Sequence, residues 1–155
     1  MSDVLKVGEP APEVTLVSDK GETVSLADFR DQQAVVLYFY PKDDTPGCTK
    51  EACSFRDLSA EFAEKGAVIL GVSPDDVKSH VKFRDKFSLP FPLLADPGAE
   101  IAQRYGVWKE KSMYGKTYMG VERTTVVIGK DGTIKKVFPN VTVDGHVEEV
   151  LAAIE

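Results

Sequence analysis

The only two cysteines of this 155-residue chain, Cys48 and Cys53, lie in one short segment, PKDDTPGCTKEACSFRD, residues 41–57. A run of apolar and aromatic residues, 34–40, precedes the segment, and Thr-Pro-Gly directly precedes the first cysteine. Threonine followed by proline is a typical helix start, because Thr is a good N-cap and Pro is favoured at the first helical position. The pattern therefore predicts a cysteine in the first helical turn, where unpaired backbone N–H groups favour a thiolate. A structural disulfide, a metal site and two unreactive buried thiols are the alternatives.

A thiolate alone does not make a fast catalyst. A cysteine with the ordinary pKa of about 8.5 is about 3% thiolate at pH 7, and a pKa of about 6 would raise that fraction to about 90%. The gain is only about thirty-fold, so a catalytic site also needs groups that stabilise a transition state. Thr45, three residues before Cys48, is a candidate hydrogen-bond donor. Arg123, at the mouth of a predicted strand, is a candidate cation that only the fold could bring to the sulfur.

The spacing of the two cysteines limits how they can react with each other. Cys53 lies five positions after Cys48 on the same predicted helix, which separates the two Cα atoms by about 8.6 Å and turns them about 140° around the axis. A disulfide requires Cα atoms within about 7 Å. Any disulfide between them must therefore be coupled to unwinding of the helix, which favours a switch over a permanent bridge.

Apolar runs and turn residues predict the elements that position this segment. The predicted strands are 14–17, 23–25, 34–40, 67–72, 93–95, 124–128 and 133–138. The predicted helices are a single turn at 25–29 and longer helices from 45–46 to 65, from 73–75 to 87, from 96 to 105 and from 144 to 154. Residues 108–120 lack clear periodicity and are predicted to form an exposed loop. Strands that are apolar on both faces and alternate with helices predict an α/β fold, with a central mixed sheet flanked by helices and an N-terminal hairpin. We expect one domain over residues 1–155.

Composition excludes several classes of partner. The net charge of −6 and the scattered Lys and Arg residues argue against nucleic acid and anionic membrane surfaces. No run approaches the roughly 18 apolar residues of a membrane helix, and residues 1–12 lack the features of a signal peptide. These observations predict a cytoplasmic protein, in which two cysteines are catalytic or inert rather than a staple. His80 and His146 lie far from both cysteines in sequence, so the ligand spacing of a zinc site is missing and no metal is expected.

Residues 41–57 resemble the active-site segment of peroxiredoxins, in particular the Q or bacterioferritin-comigratory-protein type. The matching positions are Pro41, Thr45 and Cys48 in P-x-x-x-T/S-x-x-C, Glu51 three residues later, Cys53 as the second cysteine, and Arg123 in GVERTTVVIGKDG. The resemblance extends from GEPAP, residues 8–12, to the last predicted helix. It implies a thioredoxin-like fold and the reduction of hydroperoxides.

The resemblance also implies a role for each matching residue. The Cys48 thiolate attacks the terminal peroxide oxygen, which releases water or an alcohol and leaves a sulfenic acid. Thr45 and Arg123 hold the peroxide and stabilise the charge that moves during the displacement. Pro41 shields the sulfenate from solvent, and Glu51 orients Arg123.

The second half of the implied cycle concerns Cys53. It condenses with the sulfenate, after the helix unwinds, to form an intramolecular disulfide that thioredoxin or a similar dithiol protein reduces. The resemblance implies that no metal, flavin or haem is needed. It also implies that the protein is a monomer.

Two other functions remain open from the residues. A thioredoxin-like disulfide reductase shares the strand, turn, cysteine and helix, but such proteins have two residues between their cysteines, whereas residues 49–52 separate them here. A binding or holdase module without turnover would keep its function after alkylation of Cys48.

The unwinding step can be measured directly. We expect the backbone amides of residues 46–56 to exchange with solvent faster in the oxidised than in the reduced protein, because a Cys48–Cys53 disulfide cannot form on an intact helix. Hydrogen exchange followed by mass spectrometry on both forms tests this, with strand 67–72 as an internal control. Equally slow exchange of residues 46–56 in the two forms would contradict the prediction.

Overall fold

The computed structural model describes residues 5–154. Residues 1–4 and 155 of the predicted domain lie outside the described residues. Two sheets are present in the described range. The main sheet has seven strands in the order β2-β1-β5-β4-β3-β8-β9, and a separate two-stranded sheet pairs β6 with β7.

The seven predicted strands occur in the predicted order, and two further strands, β6 and β7, lie among them. They are β1 (Thr15–Ser18), β2 (Thr23–Ser25), β3 (Ala34–Phe39), β4 (Ala67–Ser73), β5 (Leu93–Ala95), β6 (Trp108–Met113), β7 (Lys116–Val121), β8 (Thr124–Ile128) and β9 (Ile134–Phe138). The three central neighbours β3, β4 and β5 run parallel. The strands at both edges of the sheet are antiparallel, so the sheet is mixed.

Five α-helices and one turn of 3₁₀ helix lie between or after these strands in the described range. They are the 3₁₀ turn Leu26–Phe29 and helices α1 (Pro46–Asp57), α2 (Ser59–Glu64), α3 (Val77–Phe87), α4 (Glu100–Arg104) and α5 (His146–Ala152). The central crossovers β3-α1-α2-β4 and β4-α3-β5 return each chain segment to a parallel neighbour, as buried parallel strands require.

Strand β3 divides the core into two layers. Val35, Leu37 and Phe39 pack on the face that α4 covers, together with Tyr105. The alternate residues, beginning with Val36, pack on the other face, where the buried side chains of α1, α2, α3 and α5 meet. Side chains alternate between the two faces of a strand, so an uninterrupted apolar run is what a strand covered on both sides requires. The α/β fold class with a helix-flanked mixed sheet is confirmed.

The predicted exposed loop at 108–120 is wrong. These residues form the β6–β7 hairpin, and its turn has Tyr114 at φ +53° and Gly115 at φ +78°. Two successive residues with positive φ are the signature of a tight hairpin turn. Met113 and Tyr114 are largely exposed, so the hairpin has no buried face along its outer half. Without a buried face the strands show no alternation of apolar and polar residues, and periodicity could not reveal them.

Helix boundaries differ from the predicted ones for local reasons. The long helix predicted from 45–46 to 65 is interrupted at Leu58, whose φ and ψ of −106° and 10° leave the helical range, so that α1 and α2 are separate. Helix α3 begins after Asp76, whose side chain accepts a hydrogen bond from the backbone of Ser79. Buried Asp96 accepts from the backbone N–H groups of Ile101 and Ala102, so the segment before α4 serves as its cap.

Among the described residues, none of the helices is both long and apolar enough to cross a membrane.

Candidate active site

Cys48 is the third residue of α1 and is 1% exposed. The helix begins where β3 ends, and Thr45 is the N-cap residue with Pro46 at the first helical position. The sulfur therefore lies at the carboxyl end of a central parallel strand, beside backbone N–H groups that no preceding turn satisfies. Ligand and reaction sites of open α/β sheets occur at this end of the strands.

Arg123 approaches this sulfur from the strand that neighbours β3 on the side away from β4. It lies between β7 and β8, and β8 is the antiparallel neighbour of β3. One terminal nitrogen of the guanidinium, Nη2, donates to Sγ of Cys48 at 3.3 Å, and the other, Nη1, donates to Oε1 of Glu51 at 2.7 Å. The fold thus brings together three residues that are separated by up to 75 positions in sequence.

Glu51 is fully buried in the second turn of α1. Burial raises the pKa of Glu51 to about 7, although the positive charge and hydrogen bond of Arg123 act in the opposite direction. Its second oxygen, Oε2, is buried and has no hydrogen-bond partner in residues 5–154. The carboxyl group therefore holds the guanidinium with one oxygen, while the other has no hydrogen-bond partner among the described residues.

Gly47 lies between the N-terminal proline of α1 and Cys48. A Cβ atom at this position would be 3.1 Å from Nη2 of Arg123, the nitrogen that donates to the sulfur. Contacts this short are rare between a Cβ and a neighbouring heavy atom, so one of the two groups would have to move. The glycine allows the guanidinium to approach the helix N-terminus.

Thr45 and Pro41 lie in the loop that connects β3 to α1. The Thr45 hydroxyl donates to the carbonyl oxygen of Lys42 at 2.9 Å and makes no capping hydrogen bond to the helix. Its oxygen therefore keeps lone pairs that the helix does not use. Pro41 is half-buried, two residues after the end of β3.

Cys53 lies on the same continuous helix as Cys48, and both thiols are free. It is half-buried, whereas Cys48 is buried. Helical geometry from Pro46 to Asp57 supports the separation of about 8.6 Å that was expected from the spacing. The structure therefore brings together Cys48, Glu51 and Arg123 but does not bring Cys53 into bonding range.

Sequence inspection missed the polar groups behind the loop. Asp43 and His80 are both buried and bonded to each other, although a single histidine on a helix gives no sign of such a partner. His146 is also buried and bonds the Thr125 hydroxyl at 2.8 Å. Tyr38 lies under α1 with its ring stacked on Phe55 at 4.6 Å between centroids.

Within residues 5–154, no group of three or more His, Cys, Asp or Glu side chains is placed to hold a metal ion.

Comparison with known proteins places these features in context. The AhpC/TSA family model matches residues 7–137. The chain is 50% identical over 150 residues to a provisionally named peroxiredoxin bcp of Coxiella burnetii, covering 97% of this chain and 99% of that protein. It is 49% identical over 151 residues to peroxiredoxin Bcp of Bacillus subtilis, covering 97% and 96%. The Xanthomonas campestris bacterioferritin comigratory protein, studied for alkyl peroxide reduction, is similar in structure with a TM-score of 0.89, 38% identity and coverage of 96% and 97%.

The contact between Gly47 and Arg123 predicts the effect of one methyl group. In Gly47→Ala we expect Cys48 to react with iodoacetamide about three- to tenfold more slowly at pH 7, because the displaced guanidinium no longer donates to the thiolate. In a double-mutant cycle, Gly47→Ala should have no further effect in an Arg123→Lys background. Independent, additive effects would contradict the prediction.

The raised pKa of the buried Glu51 carboxyl predicts that the stability of the protein depends on pH. As pH rises from 4.5 to about 7, Glu51 loses its proton in the unfolded chain before it does so in the folded one. The folded state therefore binds more protons in this window, and the free energy of unfolding falls as pH rises. In Glu51→Gln this loss disappears, so between pH 4 and pH 8 the variant should gain up to about 3 kcal/mol relative to the wild type. Urea denaturation at several pH values measures the difference.

Asp131 provides the matched control. Hydrogen bonds from Thr133 lower the pKa of Asp131 to about 2, so its stability contribution is complete above about pH 4 and lost only below it. The difference between Asp131→Asn and the wild type should therefore be constant from pH 5 to pH 8. A constant difference for Glu51→Gln as well would overturn the interpretation of its environment.

Proposed function

The chain belongs to the AhpC/TSA family and, within it, to the peroxiredoxins of the Bcp type, and we propose that it reduces hydrogen peroxide and organic hydroperoxides through Cys48. Membership makes it a thiol peroxidase, an oxidoreductase. The single observation that most supports the roles proposed below is the arginine that bonds both the buried sulfur and a buried carboxyl group.

The first step is displacement at the peroxide. The Cys48 thiolate attacks the terminal oxygen of ROOH, the O–O bond breaks, and a proton joins the leaving RO⁻ to give an alcohol or water. Sulfur is oxidised to a sulfenic acid and the peroxide is reduced by two electrons. Backbone N–H groups at the start of α1 and the Arg123 guanidinium stabilise negative charge as it moves from sulfur to the leaving oxygen.

The surrounding residues hold the reactants. Glu51 fixes one side of the Arg123 guanidinium, so that the other side points to the sulfur. The Thr45 hydroxyl donates its proton to Lys42, so its oxygen accepts a hydrogen bond from the bound peroxide. Pro41 limits access of water to the sulfenate. Catalysis by this arrangement rests on positioning, since fixed donors need little reorganisation during the reaction.

The second step forms the disulfide. The Cys53 thiol attacks the Cys48 sulfenic acid, releases water and forms the S–S bond, so that the two electrons lost by the sulfurs balance the peroxide. α1 has to unwind first. Its polar attachments include the exposed Lys50–Asp144 ion pair and a part-buried hydrogen bond from Arg56 to the carbonyl of Phe87. An exposed ion pair contributes about 0–1 kcal/mol and a hydrogen bond from a charged group about 1.5–3 kcal/mol, so the first opposes unwinding only weakly and the second moderately.

The buried side of α1 opposes unwinding more strongly. Phe55 is fully buried and packs against Tyr38 and Phe91. The interruption at Leu58 separates α1 from α2, which gives unwinding a natural end point at the C-terminal side.

Several features remain predictions from the sequence. They are the disulfide, its reduction by thioredoxin or a similar dithiol protein, the cytoplasmic location, the monomeric state and the single domain.

The cycle is tested by comparing three proteins. We expect the wild type to turn over hydroperoxide with thioredoxin and thioredoxin reductase, and Cys48→Ser to lose more than about a thousandfold in rate, because no other group supplies the nucleophile. Cys53→Ser should react once and then stop at sulfenic or overoxidised Cys48. Stopped-flow kinetics with mass spectrometry of the oxidised proteins measure both. Sustained cycling of Cys53→Ser with thioredoxin would exclude Cys53 from the mechanism, and disulfide reduction without peroxide consumption would exclude the peroxidase.

A further inference from the structure

Asp43 attaches the β3–α1 loop to the rest of the protein through a buried carboxylate. Its Oδ1 accepts a hydrogen bond from the Tyr40 hydroxyl at 2.6 Å. Its Oδ2 accepts from the Ser79 hydroxyl at 2.8 Å and from Nδ1 of His80 at 2.7 Å. Ser79 and His80 belong to α3. The backbone N–H of Asp43 also donates to Asp75 at 2.8 Å, so both the main chain and the side chain of this residue are fixed.

His80 carries a positive charge in this arrangement. Its Nδ1 faces the Asp43 carboxylate and its Nε2 faces the carbonyl oxygen of Leu94 at 3.0 Å. Both partners are acceptors, so both ring nitrogens must donate, and only the imidazolium has two N–H groups. Burial lowers the pKa of His80, but the hydrogen bond and charge of Asp43, with a smaller effect of Asp75, raise it above the ordinary value. A fully buried ion pair therefore joins α3 to the loop.

The loop that this pair fixes carries Thr45, which is proposed to bind the peroxide, and Pro41, which is proposed to shield the sulfenate. Pro41 lies two residues before Asp43, and Thr45 lies two residues after it and starts α1. Asp44 has a positive φ of 58° and forms an ion pair with Lys86 of α3. The loop conformation is thus set largely by α3, a helix that supplies no group to the Cys48 sulfur among the contacts of the described residues.

We propose that His80 is a positioning residue for the peroxidase reaction. Through Asp43 it fixes the β3–α1 loop, so that Thr45 holds the peroxide in the reactive orientation and Pro41 covers the site. The inference rests on the proposed function. Its chemical consequence is selective. Loss of the anchor should slow attack on peroxide, which needs the oxygen held in line with the sulfur. It should leave the reaction of Cys48 with a simple alkylating agent nearly unchanged, because that reaction does not use the loop.

The experiment compares these two reactions in a Cys53→Ser background, where Cys48 is the only thiol. Oxidation by hydrogen peroxide is followed by stopped flow, and alkylation by iodoacetamide is followed by mass spectrometry at the same pH. In His80→Gln we expect peroxide oxidation to slow by about ten- to a hundredfold and alkylation to change by less than about threefold. In His80→Asn the side-chain amide takes the place of Nδ1 and can still donate to Asp43, so its peroxide rate should stay within about threefold of the parent.

Asp19→Asn is the matched control for loss of a buried aspartate. Asp19 is 4% exposed, and its carboxylate binds Arg84 of α3 at 2.6 Å and the backbone of Leu93 at 3.1 Å. It thus bonds the same helix as Asp43 does without contacting the loop. Both rates of Asp19→Asn should stay within about threefold of the parent.

Each outcome decides the proposal. A selective loss in His80→Gln with recovery in His80→Asn supports it. Equal rates in His80→Gln and the parent, a parallel loss of both reactions, or an equal selective loss in Asp19→Asn overturns it. If His80→Gln does not fold, Ser79→Ala is used instead, because it removes another donor to Asp43. A slower peroxide reaction with unchanged alkylation in Ser79→Ala supports the proposal, and unchanged peroxide oxidation overturns it. A parent protein no faster with peroxide than free cysteine would instead refute the proposed function, and this inference with it.

Discussion

The structure of the site depends on burying a charged group beside a sulfur. Arg123 can donate to Cys48 only because Glu51, itself buried, holds the other end of the guanidinium. Removing charges from water is costly, and a buried pair is tolerated only when its geometry and hydrogen bonds are good. Here one carboxyl oxygen has no partner among the described residues, so the pairing is incomplete.

A second buried pair, Asp43 with His80, fixes the loop that precedes α1. The two pairs lie on opposite sides of the start of α1. Arg123 approaches the sulfur from the β8 side, and Asp43 ties the preceding loop to α3. Between them the N-terminus of α1 is fixed, whereas the second cysteine lies further along the helix beyond both pairs. Such an arrangement places a fixed reaction centre beside the segment that is proposed to unwind, a combination that is common in enzymes with conformational steps.

Much of this could be predicted from the sequence because the signals are local. The Thr-Pro helix start at residues 45–46, the apolar strand at 34–40 and the spacing of the two cysteines each depend on a few neighbouring residues. Together with the resemblance to peroxiredoxins they indicated the fold class, the reactive segment and the importance of Arg123. The hairpin Trp108–Val121 could not be found in this way, since its exposed strands lack the alternation that burial produces.

The sequence by itself determined that Cys48 lies at a helix start and that Cys53 cannot bond it on an intact helix, because helix starts and helical spacing follow from adjacent residues. Only the tertiary structure decided which groups face the sulfur and what holds them. The hydrogen bond from Arg123 to Cys48 and the pair of His80 with Asp43 join residues that are 75 and 37 positions apart. Such contacts depend on sheet order and helix packing. The burial that these create raises the pKa of Glu51, and the contact with Asp43 raises the pKa of His80.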